Sequence, residues 1–469
     1  MKPKIVFVML PLLLAAGALL LTGQANVDFR DKIVNGQRPV VAVPDFRATG
    51  DAQKYMDAFN TTLWDDLDGS GTLKMAAKSF YPLDTPQQPN DFQPKPAGMG
   101  ASLKDWAGPP VNANNLAFGY AGVSDGKILL MGWLYNLSQP TPAAAQVLGN
   151  RYVGELSEAG ARKVAHDFAA DILKQFGVKS LAGSRIIFVS DRTGPRKLPD
   201  GKTSVPVKEI WSMDYDGNDQ RQLTRYNTLS FTPGVSPDGK LLAYTYYPPN
   251  DANPVLKIQS LDDGRQSVYS NYKSSILATP EFSPDGQRLY FSTVVDKDQQ
   301  ICFTDLKGGG FNRLSHVAAI ETSPRVNPKN PNQILFISGR SGREQLWMMN
   351  ANGGDLEMIT DGDGYVANPA WRDDGQFIAF AWTKGFEYGQ YNIFVMNMRD
   401  RSITQLTHGN GSKNENPWWA PDGLHLAFMS TPRGGHTQIH TMLADGTHVS
   451  PPLTTKGSNS QPVWVKGIN

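Results

Sequence analysis

Residues 414–431 read NENPWWAPDGLHLAFMST, and residues 278–293 read ATPEFSPDGQRLYFST. Both place a proline, an aromatic residue two positions later, a Pro-Asp-Gly turn and then a short apolar run. The same frame recurs at Pro233, Pro280, Pro324, Pro369, Pro417 and Pro462, at intervals of 47, 44, 45, 48 and 45 residues. Two positions on stand Val235, Phe282, Val326, Trp371, Trp419 and Trp464. A period in the forties belongs to propeller blades or to helical repeats, and the contents of the repeat decide between them.

The turns read SPDG at 236–239 and 283–286, RDDG at 372–375 and APDG at 420–423. Pro sets φ for the second turn position, Asp bonds its own backbone, and Gly accepts a positive φ. The odd repeat has NPKN at 327–330, which assigns that last position to Asn330. Apolar runs follow (LLAYT, RLYFS, ILFIS, FIAFA and HLAFM), then a second run such as 346–350, then a segment of the type RQLT at 221–224 or TQLT at 404–407. Four short strands per period make a propeller blade. Helical repeats need longer stretches without Gly and Pro, and the chain carries 45 Gly and 33 Pro. Blade one has its second strand at 185–190 and its third at 209–214 but lacks an inner strand. The sixth inner strand, around Pro462, has no blade after it. The C-terminal strand is therefore expected to close the ring and leave no unpaired edge.

The first 25 residues read as a secretory signal, with Lys2 and Lys4 ahead of the apolar run Ile5–Leu21 and small residues at Gly23 and Ala25. A segment at 26–37 precedes a small α+β domain at 38–180. That domain holds a strand at 38–44, a helix at 52–67, paired strands within 115–137, a third at 146–156, and a helix capped by Ser157 and stopped by Gly177. The proline-rich stretch 82–110 reads as an irregular surface loop. The fold class is mainly β: a six-bladed β-propeller at 181–469 behind that domain.

Acidic and basic residues nearly cancel, 44 against 45, which argues against a nucleic-acid partner. No later stretch is long and apolar enough to cross a membrane, so the mature chain is expected to be soluble and monomeric. Cys302 is the single cysteine and reads as a buried small hydrophobe. A hydrolase would need a Gly-x-Ser-x-Gly elbow between a strand and a helix, and the one match, GVSDG at 122–126, falls at the turn between two runs that read as paired strands. His425, His436, His440 and His448 cluster in the last blade, but residues four apart on a strand lie about 13 Å apart, so they read as surface histidines with no metal assigned. No cofactor and no catalytic residue is assigned. An exported propeller enzyme, metal-dependent or peptidase-related, is the alternative. Trp418 and Trp419 read as core, and 192–208 as a solvated basic loop.

The mouth of the central tunnel is formed by the segments just before each inner strand: LSFT, ILAT, IETS, VAN, NEN and NSQ. Glu321, Thr322, Asn368, Asn414, Glu415, Asn416, Asn459 and Gln461 stand there as compact polar groups, expected to be accessible and to converge on one axial ligand.

A secretory signal, the strand RPVVAVPDF at 38–46 and six P-x-W-S-P-D-G-x-x-L-A-F blades together resemble the TolB family of the Tol-Pal system. The resemblance spans nearly the whole mature chain. It implies a periplasmic, non-enzymatic scaffold whose propeller binds a Pal-like outer-membrane lipoprotein and whose mature N-terminus engages a TolA-like inner-membrane protein, serving envelope integrity and constriction at division. In NVDFRDKIVNGQ, residues 26–37, Val27, Phe29 and Ile33 share one face of an extended strand. They are the residues expected to pair with the second partner by adding to its sheet edge.

Overall fold

A proline in mid-strand has no N–H for the ladder, so the strand must bulge there. Every inner strand of this propeller does so. The computed structural model describes residues 38–92, 101–249, 251–268, 274–308, 310–409 and 411–467. The register slips across each inner-strand proline, between Phe231 and Gly234, Ala278 and Glu281, Thr322 and Arg325, Ala367 and Ala370, Glu415 and Trp418, and Ser460 and Val463. The residue before the proline takes a left-handed backbone each time, with φ between 50° and 55° at Thr232, Thr279, Ser323, Asn368, Asn416 and Gln461.

Six antiparallel sheets surround the axis, four-stranded in blades one to five and three-stranded in blade six among the described residues. Closure is as the repeat arithmetic requires. The strand Asn459–Val465 pairs with Arg185–Ser190 as the inner strand of blade one, with Trp464 opposite Ile186. Trp464 is buried, and its Nε1 donates to Ser184 Oγ at 2.9 Å. Packed apolar clusters lie between adjacent blades, such as Ala379, Val395, Trp419, Leu426 and Phe428 between blades five and six.

The recurring Gln-Leu-Thr segment has a mechanical role. In five blades its hydroxyl accepts an N–H of the third strand and donates to the side chain one residue before that N–H. The acceptors are Thr224 Oγ1 for Ile210, Ser315 Oγ for Ile301, Thr360 Oγ1 for Leu346, Thr407 Oγ1 for Ile393 and Thr454 Oγ1 for Ile439, at 2.8–3.1 Å. Their protons go to Glu209, Gln300, Gln345, Asn392 and Gln438. Gly239, Gly286, Gly375 and Gly423 have the positive φ that their turns demand. Asn330 does not. Blade four instead runs a longer loop, closed by Asn327 N–H to Gln333 O at 2.8 Å.

Ahead of the propeller, a six-stranded sheet has the helices Met56–Gly69 and Glu158–Gln175 packed on one face, through Phe59, Leu63, Val164, Phe168 and Ile172. Ser157 caps the second helix by accepting the Gly160 N–H, and Gly177 follows it at φ 69°. The proline-rich stretch is a surface loop only in part. Among its described residues many are exposed, but Phe92 and, on the short helix Leu103–Ala107, Leu103 and Trp106 are buried with Phe118 and Tyr135 on the sheet's second face.

Two histidines fasten this domain to the propeller. His425 is buried, which corrects its reading as a surface histidine. Its Nδ1 lies 2.6 Å from Asp422 and its Nε2 donates to the Gly69 carbonyl at 2.7 Å. His166 lies 2.7 Å from Asp66 and 3.4 Å from Asp216, with the Tyr215 hydroxyl 2.8 Å away. Both imidazoles are therefore held as cations. Burial pulls their pKa down, but the carboxylates outweigh it: His425 is raised by Asp422, and His166 is raised to about 10 by Asp216 and Asp66. Lys179 Nζ adds a bond to Pro421 O.

Candidate functional site

All the inter-domain bonds lie on turns at one end of the blades: 421–425 after the inner strand of blade six and 215–216 after the third strand of blade one. The opposite end, where each inner strand begins, faces away from the α+β domain. This is the mouth read from the sequence. The inner strands continue through it, so alternation dictates which residues reach the channel.

Three steps before each proline the side chain points between blades. Glu321, Asn414 and Asn459 occupy that step and are buried, contrary to expectation. Glu321 is fully enclosed, accepting from Ser338 Oγ at 2.7 Å and pairing with Arg340. Asn459 accepts from Arg192 Nη2 at 2.9 Å and donates to Gln438 Oε1 at 2.9 Å. Arg192 also lies 4.6 Å over the Trp211 ring, so the basic stretch 192–208 is anchored at its start rather than solvated throughout. Asn414 Nδ2 donates to Asn392 Oδ1 at 3.4 Å. Glu321 is tied within its own blade, while Asn414 and Asn459 bond across to the neighbouring blade, and all three side chains are turned away from solvent.

The remaining five are half-buried: Thr322 and Glu415 two steps before the proline, and Asn368, Asn416 and Gln461 at the left-handed step, where these three line the channel. Burial raises the Glu415 pKa, with Lys413 lowering it in part. The left-handed step carries a chain of hydrogen bonds from blade to blade. Thr232 N–H donates to Gln461 Oε1 at 2.8 Å, Thr279 N–H to Thr232 Oγ1 at 3.3 Å, and Ser323 N–H to Thr279 Oγ1 at 3.3 Å. Thr232, Thr279 and Ser323 end the mouth segments LSFT, ILAT and IETS but were not singled out within them. Their sign was the invariant step before proline, whose φ is not visible in residue type. Val27, Phe29 and Ile33 lie outside the described residues.

One step past the proline, Glu281, Arg325 and Trp418 enter the axis. Trp418 is not simply core: it lines the channel, with the Arg325 guanidinium 4.9 Å over its ring. Arg325 pairs with Glu281 at 3.0 Å. Burial pushes the Glu281 carboxyl up to about 7 despite that partner. The pair divides the axis into a chamber of about 60 Å³ toward the mouth and one of about 160 Å³ toward the turns. Around the mouth, Ile320, Phe386 and Tyr388 are exposed, and Tyr388 meets Tyr365 edge to face at 4.9 Å.

Among the described residues lining the channel, no acid and base are paired beside a nucleophile. Cys302 is fully buried and its thiol is pushed up to about 12 by burial. His440 Nδ1 bonds the Ser450 carbonyl at 3.0 Å and its ring stacks on Phe428. Among the described residues, no three His, Cys, Asp or Glu side chains are grouped to hold a metal ion.

A family model for the TolB beta propeller domain matches residues 177–388 and 361–467. The chain belongs to the TolB propeller family. A TolB homolog of Chlorobium luteolum is 30% identical over 355 residues, covering 76% of this chain and 75% of that protein. A TolB homolog of Chlorobium chlorochromatii is 33% identical over 226 residues, 48% of this chain and 46% of its own length. TolB from Acinetobacter baumannii has a similar fold, with a TM-score of 0.73 at 20% identity over 91% of this chain and 96% of that one. The propeller also matches part of Kuenenia stuttgartiensis hydrazine synthase, TM-score 0.50 at 15% identity over 61% of this chain and 47% of that one. Propeller shape alone therefore does not separate a scaffold from an enzyme of this family's fold.

Proposed function

We propose that this protein is a non-enzymatic periplasmic scaffold of the Tol-Pal type, joining an outer-membrane lipoprotein to an inner-membrane partner during envelope constriction. The observation that carries this reading is the mouth. Asn368, Asn416 and Gln461 line an axial channel on the face away from the α+β domain, with half-buried Thr322 and Glu415 one step further out and exposed Ile320, Phe386 and Tyr388 nearby. Exposed apolar side chains gathered beside a polar channel mouth suit a protein partner. Membership of the family supports a Pal-like lipoprotein as the occupant. No helix among the described residues is long and apolar enough to cross a membrane. The division that goes with this role is a signal at 1–25, a docking segment at 26–37, the α+β domain at 38–180 and the propeller at 181–469.

A photo-crosslinker placed at Asn416 in the exported protein is expected to capture an outer-membrane lipoprotein. Capture of a glycan or peptide with hydrolysis of it would favour an enzyme instead. Deleting residues 26–36 is expected to abolish capture of the inner-membrane protein while the lipoprotein still binds; an unchanged inner-membrane partner would remove the docking role from that segment.

A further inference from the structure

The chamber between the left-handed ring and Arg325 has unused hydrogen-bonding capacity, all of it on one side. Its volume of about 60 Å³ has room for roughly four waters. On the side of blades two to four, the ring is closed by the bonds among Thr232, Thr279 and Ser323. On the side of blades five and six, the carboxamides of Asn368 and Asn416 make no hydrogen bond among the described residues, although both line the chamber. Arg325 forms the floor. Its Nε donates to Pro369 O at 3.1 Å, and its Nη1 donates to Glu281 Oε2 at 3.0 Å and to Pro324 O at 3.3 Å. Trp418 supports the plane from the side. Nη2 has no partner among the described residues.

A guanidinium fixed by an ion pair and two carbonyls, with Nη2 unpaired and two amides lining the same chamber, supplies donors that fit a carboxylate. Binding there costs little side-chain ordering of Arg325, since the group is already held. Arg325 also makes the chamber unfavourable for a lysine or arginine of a partner.

We propose that this chamber is a carboxylate socket, filled by one acidic side chain that the partner at the mouth delivers along the axis. The delivery rests on the reading of the mouth given above; the socket itself does not. Glu281 is the built-in competitor, because it takes up part of the Arg325 charge. The two residues therefore act in opposite directions.

Sodium acetate is the probe, titrated against sodium chloride at equal ionic strength into protein carrying ¹⁵N-tryptophan. The Trp418 indole signal is assigned with a Trp418→Phe variant. Wild type should show a saturable acetate shift of that signal. Glu281→Gln should bind acetate about tenfold more tightly, since a neutral acceptor still holds Nη1 while the competing charge is gone. Arg325→Gln should lose the response. If Arg325→Gln fails to fold, Glu281→Gln alone decides, and unchanged or weaker acetate binding there overturns the socket. So does the absence of a saturable shift in wild type. Lipoprotein binding is measured separately. A bound lipoprotein that leaves acetate affinity unchanged overturns the delivery, whereas failure of the lipoprotein to bind contradicts the mouth reading and leaves the socket standing.

Discussion

Glu321 shows how a polar residue in a strand can be misplaced by its polarity. It reads as a mouth residue, yet strand alternation turns it between blades, where it is fully buried with Arg340 and Ser338. Removing one member of a buried pair leaves the other charge uncompensated, at about 3–5 kcal/mol. Glu321→Ala should lower unfolding free energy by that order in urea titrations, where an exposed mouth residue would change it by about 0.5 kcal/mol or less. His166 supplies a second residue-scale test. Its pKa is raised in the fold to about 10 from an ordinary 6.5, so the stability it contributes is fully present below about pH 6.5 and is lost as pH rises through about 10. His425 has the same sign. Asp216 and Asp422, held below the ordinary carboxylate range, act oppositely and lose their contribution in acid. Thermal stability should therefore decline from about pH 7 to pH 10, and His166→Gln should flatten that decline. An unchanged slope in the variant would place the titration elsewhere.

At the scale of the element, the inner strand was the most legible part of the sequence and also the place where reading stopped short. Six prolines at even spacing locate six strands, and a proline in a strand requires a bulge. The backbone state of the residue before it was not legible, because Thr, Ser, Asn and Gln share no propensity for positive φ beyond that of Asn. Nor was the extent of the strand: 414–416 and 459–461 read as polar segments just before the inner strands, although their first residues pair with the neighbouring strand. The partial burial of 82–110 was hidden for another reason, since its prolines signal loop while Trp106 and Phe92 complete a core supplied from far away in sequence. The left-handed Thr279 gives a direct test. A β-branched residue at positive φ is strained, and its hydroxyl accepts the Ser323 N–H. Thr279→Asn keeps an acceptor and tolerates the backbone, so it should be neutral or stabilising by up to about 1 kcal/mol. Thr279→Val keeps the strain and loses the acceptor, and should destabilise by about 1–3 kcal/mol. Equal effects of the two in urea unfolding would mean that the hydrogen-bond chain around the axis carries no weight.

For the whole molecule, the ring is one closed object whose last strand completes its first blade, and its function follows from what that closure leaves open. Removing 459–469 takes away the inner strand of blade one, including Trp464, whose loss alone is worth about 3–5 kcal/mol. The truncated chain should lose cooperative unfolding and associate through its exposed edges; a monomer with an unchanged melting temperature would contradict the closure. One end of the closed ring is occupied by the α+β domain through His425 and His166, and the other is free. Family, fold and blade count could be read from the period and the order of segments, whereas the functional face could be read only as a ring of positions, three of whose members are structural. Five polar positions at the mouth remain half-buried rather than enclosed. The decisive measurement is the affinity of the outer-membrane lipoprotein for wild type and for a Thr322→Lys, Glu415→Lys variant, both substitutions lying at the half-buried step of the mouth. The account predicts a loss of affinity of at least about tenfold with the melting temperature within a few degrees of wild type. An equal affinity, in a variant shown to be folded, would contradict it and move the binding site off the channel mouth.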